Sequence, residues 1–132
     1  LQSYLDSHRD ARFQYGSFDC CLFTCDCVQA MTGYDMAAWF RGRYSTRKRA
    51  LGLIRERTGH ASVKAVAEYA AAECGMGSIP VLMAQRGDMV LVGSGSKAIL
   101  GIVSLLGTDV MCSSSKGIMR VGLENVTAAW RV

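Results

Sequence analysis

The 132-residue chain holds one proline, two histidines and no long apolar run, and each scarcity excludes something. With so little proline and half of its residues hydrophobic, it is not a disordered or low-complexity segment. The longest apolar stretch, Ala98 to Gly107, is broken by Ser104 and falls far short of a bilayer span, so no membrane partner is expected. Asp6, His8, Arg9 and Asp10 near the start do not read as a secretory leader. Both histidines, His8 and His60, lie in the first half, so the second half has no imidazole. The length suits one domain, residues 1–132, able to bury a core without disulfide staples.

Acidic residues are scarce in one place. Arg41, Arg43, Arg47, Lys48, Arg49, Arg55 and Arg57 form a basic stretch in which Glu56 is the one acid, although the net charge is only +4. The stretch is either a solvated helix face or a grip for an acidic surface. No recognised nucleic-acid motif surrounds it, so no nucleic-acid partner is expected. The Arg41-Gly42-Arg43-Tyr44 loop is a candidate docking site for a partner protein, with Arg41, Arg43 and Tyr44 as its contact residues.

Cysteine is what the chain has in quantity: Cys20, Cys21, Cys25, Cys27, Cys74 and Cys112. Four crowd a segment that reads as helical, where vicinal Cys20 and Cys21 cannot readily bridge. They read as reduced thiols of a protein made in a cytosol, most of them buried as small hydrophobes. Cys21 and Cys25 share one helix face, Cys20 and Cys27 another, and C-x-x-C spacing is missing, so neither a metal nor another cofactor is expected.

The hydrophobic pattern divides the chain. Residues 2–11 read as a short polar helix. Asp19 is a candidate N-cap for an apolar helix from Cys20 to Met31, which Gly33 ends. Met36 to Phe40 reads as a short amphipathic piece. Thr46 and Ser62 cap two further helices, the second burying Val63, Val66, Ala67, Ala70, Ala71 and Cys74 on one face. After Pro80 the periodicity changes to strands: Met89–Val92, Ala98–Leu106, Asp109–Cys112, Ile118–Val121 and an alternating segment from Val126 to Val132. Helices followed by a meander of strands give an α+β fold, with N-terminal helices packed on a small antiparallel sheet. Arg86-Gly87-Asp88 reads as the turn into the first of these strands, Asp88 bonding local backbone.

Cys20, placed at a helix N-terminus, is the candidate nucleophile. The positive end of the helix stabilises a thiolate, and backbone N–H groups there can hold an oxyanion. Such chemistry also needs a histidine within hydrogen-bond reach and a polar group to orient it.

Tyr15-Gly16-x-x-Asp19-Cys20, then Arg86-Gly87-Asp88-Met89-Val90, then Leu100-Gly101-Ile102-Val103, resemble the NlpC/P60 family of papain-like peptidases that cut cell-wall peptides. The resemblance spans Phe13 to about Val121. It implies that Cys20 matches the nucleophile, in a pair with Asp19, and that Tyr15 lines the site. It also implies that Ile99 occupies the histidine position and that the third polar position falls near Met111 or Cys112. The chain is more similar still to a small phage-encoded family of this type, through Asp19–Phe23, Ala30–Asp35, Arg41–Tyr44, Leu100–Val103 and Ala129–Val132. That resemblance implies a degenerate peptidase serving as a structural or assembly part of a phage tail tip or baseplate. Its partners would be other tail-tip or hub proteins. It would be made in the host cytoplasm and carried in the virion tail. The alternative is an active cysteine hydrolase, with peptidoglycan as a further partner.

Overall fold

The computed structural model describes residues 1–132. Four helices precede and flank a six-stranded antiparallel sheet: α1 (Gln2–Ser7), α2 (Cys20–Thr32), α3 (Arg47–Thr58), α4 (Val63–Cys74), then β1 (Ser78–Ile79), β2 (Met89–Val92), β3 (Ile99–Val103), β4 (Asp109–Ser114), β5 (Gly117–Gly122) and β6 (Val126–Trp130). The α+β expectation is thereby met. The sheet order is β1-β6-β2-β3-β4-β5. Strands β2 to β5 run as a meander, and β6 returns to lie between β1 and β2.

Side-chain caps start the long helices where the sequence places them. Asp19, Thr46 and Ser62 accept from Leu22, Arg49 and Ala65 N–H, and Gly33, Gly59 and Gly75 end the helices in left-handed conformation. α1 is shorter than expected. The chain leaves the helix at His8, and Phe13 N–H donates to the Ser114 carbonyl at the end of β4 instead (2.9 Å). The Met36–Phe40 piece is a series of turns that buries Met36, Ala37 and Phe40. β3 stops at Val103, where Ser104 to Gly107 closes a turn. β4 and β5 run to Ser114 and from Gly117, giving a two-residue hairpin. β1, at two residues, is too short to carry a periodic signal.

α2 packs on β3 and β4 and carries most of the helix-side core, with Leu22, Phe23, Cys27 and Val28 all but sealed from solvent. The sheet is apolar on its other face too. Val90, Val103, Val110 and Cys112 are fully buried there with Val92, Val126 and Ala129, and no helix residue belongs to that cluster. Two-sided burial changes the face pattern of β6. The register shifts between Leu91 and Val92, leaving Thr127 as the extra residue, its hydroxyl donating to the Gly93 carbonyl (2.6 Å). Val126 therefore shares a face with Ala129 rather than with Ala128 and Trp130, as strict alternation would have it.

Asp88 ends the Arg86-Gly87-Asp88 turn as a buried carboxylate. It accepts from Gln85 N–H (3.0 Å) and Val132 N–H (3.2 Å) and lies 3.1 Å from the Arg131 guanidinium as an ion pair. The tripeptide is thus part of the sheet's framework.

The close approach of β3 to β4 depends on Gly101. A Cβ there would stand 2.5 Å from Val110 Cγ1 and 2.8 Å from both Cys112 Sγ and the Met111 carbonyl oxygen. Gly101→Ala should cost about 1–3 kcal/mol through overpacking. Gly52→Ala, on α3 with open space around the new methyl group, should stabilise by about 0.5–1 kcal/mol. Urea denaturation of the two variants checks both signs.

Candidate active site

The site is organised by a buried carboxylate. Asp19 is 3% exposed, and its oxygens accept from Leu22 N–H (2.9 Å), Gly16 N–H (3.0 Å) and the Tyr44 hydroxyl. Gly16 adopts φ +89° and lies so close to the Tyr44 backbone that a Cβ would overlap the Tyr44 carbonyl oxygen. Burial, and then the bond to Asp19, push the Tyr44 phenol well above its ordinary range, so it stays protonated as a donor. Asp19 thereby fixes both the first turn of α2 and the segment that crosses in front of it.

Cys20 follows at the first position of α2, buried but reached from a cavity of about 380 Å³. The Cys21 thiol and the Leu100 N–H draw its pKa below the ordinary thiol value against the opposing effect of burial. Cys21 moves the other way, raised by the same contact with Cys20 and by burial. The remaining α2 thiols are held neutral by desolvation, Cys27 at about 12. All six cysteines are free.

The cavity contains most of the expected site and more. Tyr15, Asp19, Cys20 and Ile99 all line it. Ile99 opens β3 and touches both apolar clusters. Met111 and Cys112 do not line the cavity. Both are buried on opposite faces of β4, with burial pushing the Cys112 thiol up to about 12. Neither histidine comes near. His8 stacks on Tyr4 (ring centroids 4.1 Å apart), and His60 is exposed beyond the C-terminus of α3. The cavity's lining has no imidazole.

Tyr44 is the residue that sequence reasoning places differently. Grouped there with an exposed docking loop, it turns inward onto Asp19. Arg41 is exposed but committed, binding Asp26 (2.7 Å) and Asp35 (2.9 Å). Arg43 stays exposed, its guanidinium on the Trp39 carbonyl (3.0 Å). The cavity also gains Cys21, Phe40 and Arg47, which sequence reasoning did not assign to the site. A local pattern could not have found Tyr44, 25 residues from its partner. The one available signal was that a buried Asp19 must collect donors beyond its own helix.

The chain belongs to the family described as a domain of unknown function (DUF6950), which matches it over residues 1–132. No curated protein and no solved structure matched it.

Two outcomes follow from this geometry. Asp19→Ala should destabilise by about 2–4 kcal/mol, because a cap is lost and buried donors are orphaned. Thr46→Ala at an exposed cap should cost about 1 kcal/mol. Thermal denaturation of both variants tests the contrast. Asp35 is held below its ordinary carboxyl value of 3.8, first by the Arg41 hydrogen bond. A depressed folded-state pKa contributes stability above the unfolded value, and that contribution is lost as pH falls through the folded one. The stability gap between wild type and Arg41→Met should therefore be full at pH 7 and close progressively below about pH 4. Denaturation midpoints measured from pH 7 to pH 2 would show this narrowing.

Proposed function

We propose that this protein is a structural or assembly component of a phage tail tip, built on a papain-like, NlpC/P60-type module that no longer cleaves. One observation carries the degenerate reading. Ile99 lines the Cys20 cavity from the first position of β3, and the NlpC/P60 resemblance would put the enzymes' histidine at that position. What remains around Cys20 serves folding: the Asp19 cap, the Gly16 turn and the packing of α2 on β3. What is missing serves turnover. The helix N-terminus and Leu100 N–H can favour a thiolate, but acyl transfer also needs a group to protonate the leaving amine. Isoleucine cannot do this, and the Tyr44 proton is already directed at Asp19. Tail-hub proteins would be the partners, met after synthesis in the host cytoplasm.

The lowered pKa of Cys20 favours a second reading, an active hydrolase of cell-wall peptides using an unconventional acid. The two readings separate experimentally. The first expects no release of murein peptides by purified protein and its detection by mass spectrometry in purified virions. Ile99→His should then raise the rate of Cys20 alkylation by iodoacetamide at pH 7, as an adjacent imidazole enlarges the thiolate fraction. Wild-type turnover of murein would install the second reading. A chain missing from virions, with tails assembling normally without it, would sink the first.

A further inference from the structure

The cavity that exposes Cys20 has a composition that catalysis does not explain. Its walls are apolar, formed by side chains such as Phe13, Phe40, Leu51, Ile54 and Val66. Its volume of about 380 Å³ falls within the range of about 300–1,000 Å³ typical of small-molecule sites. The charged groups divide by burial and by sign. Inside, the one acid is Asp19, whose carboxylate already accepts from two N–H groups and the Tyr44 hydroxyl. At the rim stand two exposed cations, Arg47 and Lys97. Neither pairs with a carboxylate. Arg47 opens α3 and reaches over to the Ser96 carbonyl (3.3 Å), while Lys97 makes no hydrogen bond or ion pair. Elsewhere in the basic stretch Arg41 and Arg49 are paired with acids and Arg57 lies over the Trp39 ring (5.0 Å), while Arg43, Lys48 and Arg55 also lack a carboxylate partner but do not line the cavity.

We infer that this cavity binds a single-chain amphiphile with an anionic head, a medium-chain carboxylate, its tail against the apolar walls and its head between Arg47 and Lys97. Charge complementarity selects this occupant. Cations without a carboxylate partner, over a largely apolar well whose one acid is already saturated, suit a ligand that is apolar at one end and negative at the other. A peptide would bring backbone N–H groups inside, where the one carboxylate is already taken and the walls are apolar. The inference goes beyond the tail-tip role and does not depend on it.

The test uses the full chain labelled at isoleucine methyl groups and titrated with decanoate or decanol at pH 7.4. Decanoate should shift the Ile54 and Ile99 methyl signals, which line the cavity, and leave Ile79 and Ile118 unchanged. The double variant Arg47→Gln, Lys97→Gln should bind decanoate about tenfold more weakly and decanol within about twofold of wild type, the sum expected for two exposed charge contacts. Both substitutions are at exposed positions and leave the Asp19 network untouched. Three results would each overturn the inference: no shift at Ile54 and Ile99, wild-type affinity for decanol equal to that for decanoate, or unchanged decanoate affinity in the double variant. Murein turnover and virion content are read from other samples, so failure here is distinct from failure of the tail-tip reading.

Discussion

A single buried carboxylate holds the cleft together. Burying an ionised group is tolerable only when its oxygens are saturated with donors. Asp19 meets that condition with donors from the turn before α2, from α2 itself and from Tyr44 far along the chain. The same three bonds that offset desolvation set the entry angle of the central helix and close one wall of the cavity. They also place Cys20 at the helix terminus, so the position of the thiol is a by-product of the cap. A cysteine can therefore stand at the start of this helix for structural reasons alone, whatever its chemistry.

The apolar character of the cleft has a related origin. The sheet buries both faces, so a residue at the start of β3 is pressed by the helix-side core and by the valine cluster behind it. Isoleucine satisfies both. On β4, Met111 and Cys112 are buried and apolar, and the buried Ser113 hydroxyl has no hydrogen-bond partner.

Much of this was legible in the sequence because its signals are local. Capping residues marked the starts of α2, α3 and α4, and Gly33 the end of α2, since each acts within four residues of its own position. The change to short β-rich segments after Pro80 marked the sheet. What escaped was set by distant contacts. β6 does not alternate as its residues suggest because a bulge at Thr127 changes its facing, and that bulge is defined only against β2. α1 ends early because Phe13 finds a partner on β4. Arg41 looked like a free cation because Asp26 and Asp35 approach it only once the turns after α2 have formed. In the site, the thiol, its flanking acid and the isoleucine could be listed from spacing and resemblance. The role of Tyr44 and the sorting of charge between floor and rim needed three dimensions.

The sheet order has a consequence for synthesis. β6 is interior, flanked by β2 on one side and β1 on the other, yet it is made after every other strand. Until Trp130 clears the ribosome, one margin of β2 has no neighbour and β1 has nowhere to dock. Helices and meander can assemble early, but the nascent sheet keeps an open, sticky flank. Any arrest before β6 is made would leave a half-built sheet able to recruit another copy in its place.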